Sequence, residues 1–471
     1  MNEICNLSLL EIKEALKKHD LSALEVTNAF IEAAEKIGIP FTKDYNGPSQ
    51  EGIGITQVTI SKGRRQSTAY CHLDPARSRT NLTIISGAMA ESLIIENKMC
   101  KGVKYSVNGA SREAVASREV IVSSGSINSP KLLELSGIGD PEILSKVGID
   151  VKHDLPGVGK NLRDHYSPRM RFTITEKAAT FNDNARGWRL AAQALRYAVT
   201  RKGFFAMCSA PIRMYFKTRE GLESPDATIS MTPFLYESVD EQLQISKQKG
   251  VTLNMNVLRS ESIGNIHIQS TDPMVPPAIR FNFMSSAYDR EGTVAAMRKA
   301  RQLFSTSPLA EAVGQEIAPG PECQSDKDMV EWIKNNAETT YHPVGTCKMG
   351  NDPMAVVDDA LAERPVADPV MRRQAGLGIG HDEIGQMRIA CAEPHGPAQG
   401  PAVIGQVHVG AADAPDERRF LPAPRIAQRE SGHEIGVIHP ALDDTRAKAA
   451  NQRAETQKSG KARPPAPHAE I

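Results

Sequence analysis

The chain has 471 residues, of which 56 are basic and 56 acidic, so its formal net charge is zero. That balance argues against nucleic-acid or membrane-surface binding as a main task, and the length allows two or three domains with a large core. The seven cysteines are dispersed and odd in number, a usage that suits reduced thiols in the cytoplasm and neither a disulfide framework nor a metal site.

The N-terminus has no basic region leading into an apolar one, so no secretory leader is expected, and no apolar run is long enough for a transmembrane helix. Residues 7–37 predict two amphipathic helices. Ser8 caps the first, with Leu9, Leu10, Ile12 and Leu16 as its apolar stripe. Ser22 caps the second, with Glu25 completing a capping box. The stretch LSLLEIKEALKKHDLSALEVTNAFIEA resembles the N-terminal helical hairpin of amidase-signature enzymes. No Gly/Ser-rich nucleophile loop follows it, so no amidase chemistry is carried over.

From Asp44 the texture changes to turn residues between short β-type runs such as ITQVTI. NLTIISG (81–87), AESLIIE (90–96) and KGVKYSV (101–107) read as successive strands. REVIVSSG (118–125) reads as a strand buried on both faces. Ser129 then caps a helix with Pro130 in its first turn and Gly137 beyond its end. Asp140 and Pro141 start a second short helix that Gly148 ends. The loop SGSINSP lies at the strand's carboxyl end, where open α/β sheets bind ligands. Strands are expected at 169–174, 227–235, 250–258 and 265–270 in a mainly antiparallel sheet, and the clearest helices at 188–201 and 290–305.

Several motifs agree with one another. GSINSPKLLELSGIG (125–139), DLPGVGKNLRDH (154–165), GRRQSTAY (63–70), DYNGPSQEGIG (44–54) and YHPVGTCKMG (341–350) resemble, in order and spacing, segments of the glucose–methanol–choline (GMC) oxidoreductases, with the choline dehydrogenase-like branch most similar. The resemblance spans roughly residues 29–358. It implies FAD-dependent oxidation of an alcohol, with His342 as active-site acid/base, and Ala90, Gly125, Ser126, Asn128, Asn161 and His165 against the cofactor. A histidine suits that task because its ordinary pKa lies near neutrality. The partners implied are a small alcohol and an electron acceptor that the sequence does not identify. Taken alone, Tyr-His-Pro is an ordinary structural tripeptide, SGSINSP a helix-capping loop, and Asn161 and His165 ordinary loop residues. Cys347 reads as a small packing residue.

The same comparison shows two gaps. The family's GxGxxG turn, which lets backbone N–H groups reach a pyrophosphate, has no counterpart. GLGIG (376–380) is a decoy, since His381 stands at the third glycine position and no apolar strand precedes it. No Gly-Asn-rich segment follows to supply a second active-site residue, and His381, His395, His408, His433 and His439 carry no assignment. The fold class expected is α+β or α/β, a partial Rossmann-like FAD domain plus a substrate domain. Its divisions are an amidase-like hairpin (1–32), the start of the substrate region (33–78), a partial FAD domain (79–165), a substrate domain (166–340), the histidine segment (341–358) and a disordered tail (359–471). The tail's Ala/Arg/Pro bias and the two gaps suggest a truncated or chimeric reading frame that binds flavin weakly or not at all, a non-catalytic remnant being the alternative to an active enzyme.

Overall fold

The computed structural model describes residues 23–175, 180–239, 242–357, 370–373 and 387–390. The helix expected from Ser8, the Ser22 cap, GLGIG and the tail histidines lie outside these residues. Helix α1 is Ala23–Lys36 and strand β1 is Gly52–Ile55. A meander follows, β2 (Ala88–Glu96), β3 (Met99–Val107) and β4 (Ala110–Val115), then β5 (Glu119–Val122), α2 (Gly125–Leu135) and α3 (Pro141–Lys146). Next come β6 (Tyr166–Ser167), β7 (Arg169–Ile174), α4 (Gly187–Thr200), β8 (Ile212–Phe216), β9 (Ala227–Thr232), the hairpin β10 (Tyr236–Val239) and β11 (Gln242–Ile245), and β12 (Gly250–Val257). Helix α5 (Ala287–Phe304), the short α6 (Leu309–Ala312), β13 (Val313–Ala318), α7 (Asp326–Asn336) and β14 (Glu338–Thr339) complete this part. Two strands lie further on, β15 (Val370–Arg373) and β16 (Met387–Ala390).

A six-stranded antiparallel sheet, ordered β1-β8-β9-β12-β7-β13, is the largest unit. Its four central strands, β8, β9, β12 and β7, alternate, as a sheet with one apolar and one polar face requires. Met170 and Phe172 of β7, Ile212 and Met214 of β8, Ile229 and Met231 of β9, and Leu253 and Met255 of β12 all enter one core. Phe30 of α1, Met297, Leu303 and Phe304 of α5, and Met329 and Ile333 of α7 cover that face. Phe304 is the aromatic centre, with Phe172 at 4.4 Å and Phe30 at 6.0 Å between ring centroids. Gly292 lets α5 approach closely, since a Cβ there would meet Val257 Cγ1 at 2.6 Å. The opposite face carries Arg169, Arg171, Arg213, Tyr215, Ser230, Thr252, Asn254 and Asn256, because these alternate with the core residues.

The fold is thus α+β, with mixed helices and mostly antiparallel sheets; of the four strands expected at 169–174, 227–235, 250–258 and 265–270, the first three join the large sheet, while Asn265–His267 pairs instead with Ala278–Arg280 in a separate two-stranded sheet. Three other expectations fail. Residues 81–87 form no strand, and Ile84 and Ile85 are exposed. An apolar run becomes a strand only where a neighbour takes up its backbone groups, and among the described residues none pairs with it. β5 is not buried on both faces. Only Val122 is fully buried, and its neighbour is β16, antiparallel, rather than a strand of a parallel sheet. A second cluster, built from Leu132, Leu133, Ile138 and Val158, takes up Val120 and Val122. The third failure is the start of α2, which bears on the site.

Candidate active site

Asp164 organises the histidine segment. It is 4 % exposed, yet it is not buried without partners. Its Oδ1 accepts from the backbone N–H of His165 at 2.7 Å and from that of His342 at 3.1 Å, and its Oδ2 accepts from Thr339 Oγ1. One carboxylate therefore ties together two stretches 178 residues apart in sequence. Burial raises its pKa above the ordinary carboxylate value, and the three hydrogen bonds oppose that rise without cancelling it. The result is a meeting of rings: His165 and His342 lie 5.9 Å apart between centroids, edge to face.

The two imidazoles differ. His165 Nε2 lies 3.1 Å from the Leu258 carbonyl oxygen, which can only accept, so Nε2 carries the proton and Nδ1 holds a lone pair. Burial holds its pKa down, and the charges of His342 and Arg213 push in the same direction. His342 is exposed, and its Nδ1 lies 3.3 Å from Thr340 Oγ1. Tyr341 beside it adopts a left-handed conformation, φ 62°, with its N–H bonded to Thr339 Oγ1 at 2.9 Å. The turn that aims His342 is thus fixed on both sides by side chains that also contact Asp164 or its partners.

Helix α2 begins at Gly125, four residues before the expected Ser129 cap, and Pro130 lies inside it. Ser129 instead accepts from the Ser124 N–H at 3.1 Å. A proline inside a helix deprives the carbonyl four residues back of its donor, here Ser126. Thr346 Oγ1 supplies the missing bond, donating to Ser126 O at 2.5 Å, and Ser126 Oγ donates to Pro343 O at 2.6 Å. Pro130 thereby creates the acceptor that docks the His342 segment, a role the sequence alone conceals because Thr346 is remote. Asn161 makes the next contact, Nδ2 donating to Gly345 O at 3.3 Å. Gly345 has φ 90°, and a Cβ there would meet Asn161 O at 2.4 Å.

So His342, His165, Asn161 and Ser126 are brought together, with Gly125 at the helix start beside them. Ala90 and Asn128 are not in this group. They line a separate cavity of about 10 Å³ with Met89, Lys131, Leu132, Leu135 and Pro273. Lys131 donates to Pro273 O at 2.6 Å, and burial lowers its pKa. The implied FAD fits these residues unevenly. At the histidine end there are ring nitrogens and open space: a Cβ at Gly125 would meet nothing within 4 Å. At the Ala90 end the cavity has room for about one water, too little for an adenine. The strand-to-helix turn between β5 and α2 carries one glycine rather than a glycine-rich cradle.

Sequence reasoning missed one polar cluster. Glu134 is completely buried. Its Oε1 lies 2.7 Å from His267 Nδ1, and Oε2 accepts from the Ile268 N–H at 2.8 Å. A carboxylate in the apolar run KLLELS gives no signal of its partner 133 residues on. Cys347 packs against the apolar cluster of Leu133, Ile138 and Val158, and burial pushes its thiol up to about 12, with the Glu134 charge adding to the effect.

Two models of the GMC oxidoreductase family match the chain, one over residues 4–167 and one over residues 260–366. The first covers the whole of the stretch that resembles amidases. The chain is 38% identical over 332 residues to the oxygen-dependent choline dehydrogenase of Rhizobium johnstonii, a match that covers 70% of this chain and 60% of that protein. With its counterpart from Photobacterium profundum it shares 35% identity over 348 residues, covering 72% and 60%. The chain thus spans about 60% of the length of these relatives. Among solved structures it shares its fold with formate oxidase (TM-score 0.64, 23% identity, 70% of this chain and 62% of that one) and with pyridoxine 4-oxidase from Mesorbium loti (TM-score 0.61, 24% identity, 71% and 62%).

Proposed function

This chain belongs to the GMC oxidoreductase family, and on that premise we propose that it oxidises a small alcohol with FAD, His342 being the acid/base. The observation that carries the reading is the pairing of His165 and His342 around one buried carboxylate. FAD, when bound, supplies the two-electron acceptor for the carbinol hydride. The chain's own residues handle the proton and the positioning. His342, exposed and held at Nδ1 by Thr340, accepts the hydroxyl proton. His165, kept neutral by burial, offers its Nδ1 lone pair to orient the same hydroxyl and does not compete for the proton. Asp164 keeps the two rings at their spacing through backbone bonds rather than by contact with either ring. Ser126, Asn161 and Gly125 are the residues that would hold the flavin ring. Among the described residues no helix is long and apolar enough to cross a membrane, and a cytoplasmic site of action is part of the proposal.

A second reading, a remnant that no longer turns over, draws support from the cavity beside Ala90, which is far smaller than an adenine. The two are separated by adding FAD to the full chain and following flavin absorbance anaerobically with primary alcohols. Flavin uptake followed by bleaching on alcohol addition is the expected result for an enzyme. Failure to take up flavin, or uptake without reduction by any alcohol, would favour the remnant.

A further inference from the structure

The polar face of the large sheet has a charge pattern of its own. Cross-strand partners align Arg213 of β8 with Ser230 of β9, Ser230 with Asn254 of β12, and Asn254 with Arg169 of β7. This row is a floor of hydroxyl and amide groups with a guanidinium at each end, on the face opposite the helices. The row's two arginines are not equivalent. Arg169 is neutralised by Glu338 at 2.6 Å and lies 5.3 Å from the Tyr236 ring centroid. Arg213 has no acidic partner among the described residues. Its Nη1 donates to Tyr215 Oη at 3.3 Å, a long bond to a neutral group, and its buried Nε has no hydrogen-bond partner among the described residues. Arg171, one register step along the face beside Thr252, likewise has no acidic partner among the described residues.

A guanidinium left without a counter-ion is unusual, because partial burial of a charge is costly unless an anion or several acceptors meet it. The Arg213 charge also adds, as a lesser cause after burial, to the lowering of the His165 pKa. Asp164 is not its missing partner, since both its oxygens are occupied by Thr339, His165 and His342. Resting on the alcohol-oxidising reading above, we infer that the substrate is an anionic alcohol, one whose carboxylate pairs with Arg213 while its hydroxyl lies at the histidines. The same charge disfavours a quaternary ammonium alcohol such as choline. The fork of a guanidinium matches a carboxylate edge to edge, whereas Ser230 and Asn254 between the two arginines are bonded within the sheet, to Asn254 O, Thr232 and Tyr236.

The test is calorimetric titration of the full chain, with and without added FAD, using glycerate, glycerol and choline as anionic, neutral and cationic primary alcohols. Glycerate should bind about tenfold or more tightly than glycerol, as a charge-assisted pair implies, and choline most weakly. R213Q should erase the preference for glycerate over glycerol, while R213K should retain much of it, with unfolding midpoints showing that both variants fold. Choline binding as tightly as glycerol, a glycerate preference that survives R213Q, or no binding of any of the three would overturn the inference. If glycerate binds as expected but never reduces a bound flavin, only the redox reading fails. If alcohols reduce the flavin with no preference for anions, only this inference fails.

Discussion

Replacing Asp164 by alanine and by asparagine separates two roles of one side chain. Alanine strands three donors: Thr339 Oγ1 and the backbone N–H groups of His165 and His342. The hydroxyl can rotate to another acceptor, but the two amides cannot. At roughly 1–3 kcal/mol for each buried donor left unmet, Asp164→Ala should cost about 4 kcal/mol. Asparagine keeps an oxygen for the amides and turns its NH₂ toward Thr339 Oγ1, which can accept. The raised pKa says that burial of the charge outweighs its hydrogen bonds, so Asp164→Asn should cost much less, about 1 kcal/mol. The pH dependence carries the sign. The folded-state pKa lies above the ordinary value, so protonation stabilises the fold fully below that ordinary value, and the gain is lost as pH rises through the raised one. The advantage of the native chain over Asp164→Asn should therefore shrink from acid toward neutral pH. Urea unfolding of the three chains across that range measures it. Equal costs for Ala and Asn, or an advantage that grows with pH, would refute the reasoning.

Thr346→Val should cost about 1–2 kcal/mol by leaving the Ser126 carbonyl unpaired; in a Pro130→Ala background, where residue 130 regains an N–H, the urea midpoint should show a smaller cost. Gly345→Ala should destabilise by about 1–3 kcal/mol, since it adds a Cβ at φ 90° against Asn161, and a change in midpoint below a few tenths of that would contradict the contact. Phe304→Ala should cost about 3–5 kcal/mol, because it empties the space between Phe30 and Phe172. Alkylation at mildly alkaline pH, read by mass spectrometry, should modify the exposed Cys71 and spare Cys347, whose thiol is pushed up to about 12; rapid modification of Cys347 would mean that the Glu134 cluster opens.

Alternation made the large sheet legible. ATISMT, GVTLNMNV and RMRFTI each place apolar residues on one face, and a period of two needs no tertiary knowledge. The family was legible too, because five ordered motifs agree. What stayed hidden was long-range. Pro130 reads locally as a helix start, and only the Thr346 hydroxyl, 220 residues from Ser126, makes it tolerable further in. NLTIISG has strand composition but no pairing neighbour among the described residues. The second ring facing His342 was sought downstream, in a tail without the expected motif. The ring that the structure does bring near His342 is His165, 5.9 Å away between centroids, and its own motif suggests only cofactor contact. Arg213 follows no motif, and its meaning depends on which face of β8 it occupies and on what is missing beside it.

The most direct test of the account is the anaerobic rate of flavin reduction by an alcohol, measured for the FAD-supplied chain and for His342→Ala. The account predicts that the native chain reduces its flavin and that the variant binds flavin comparably while losing about 100-fold or more in rate, the scale of a general acid/base contribution. A variant as fast as the native chain would contradict the role given to His342. A native chain whose flavin no alcohol reduces would contradict the proposed activity itself.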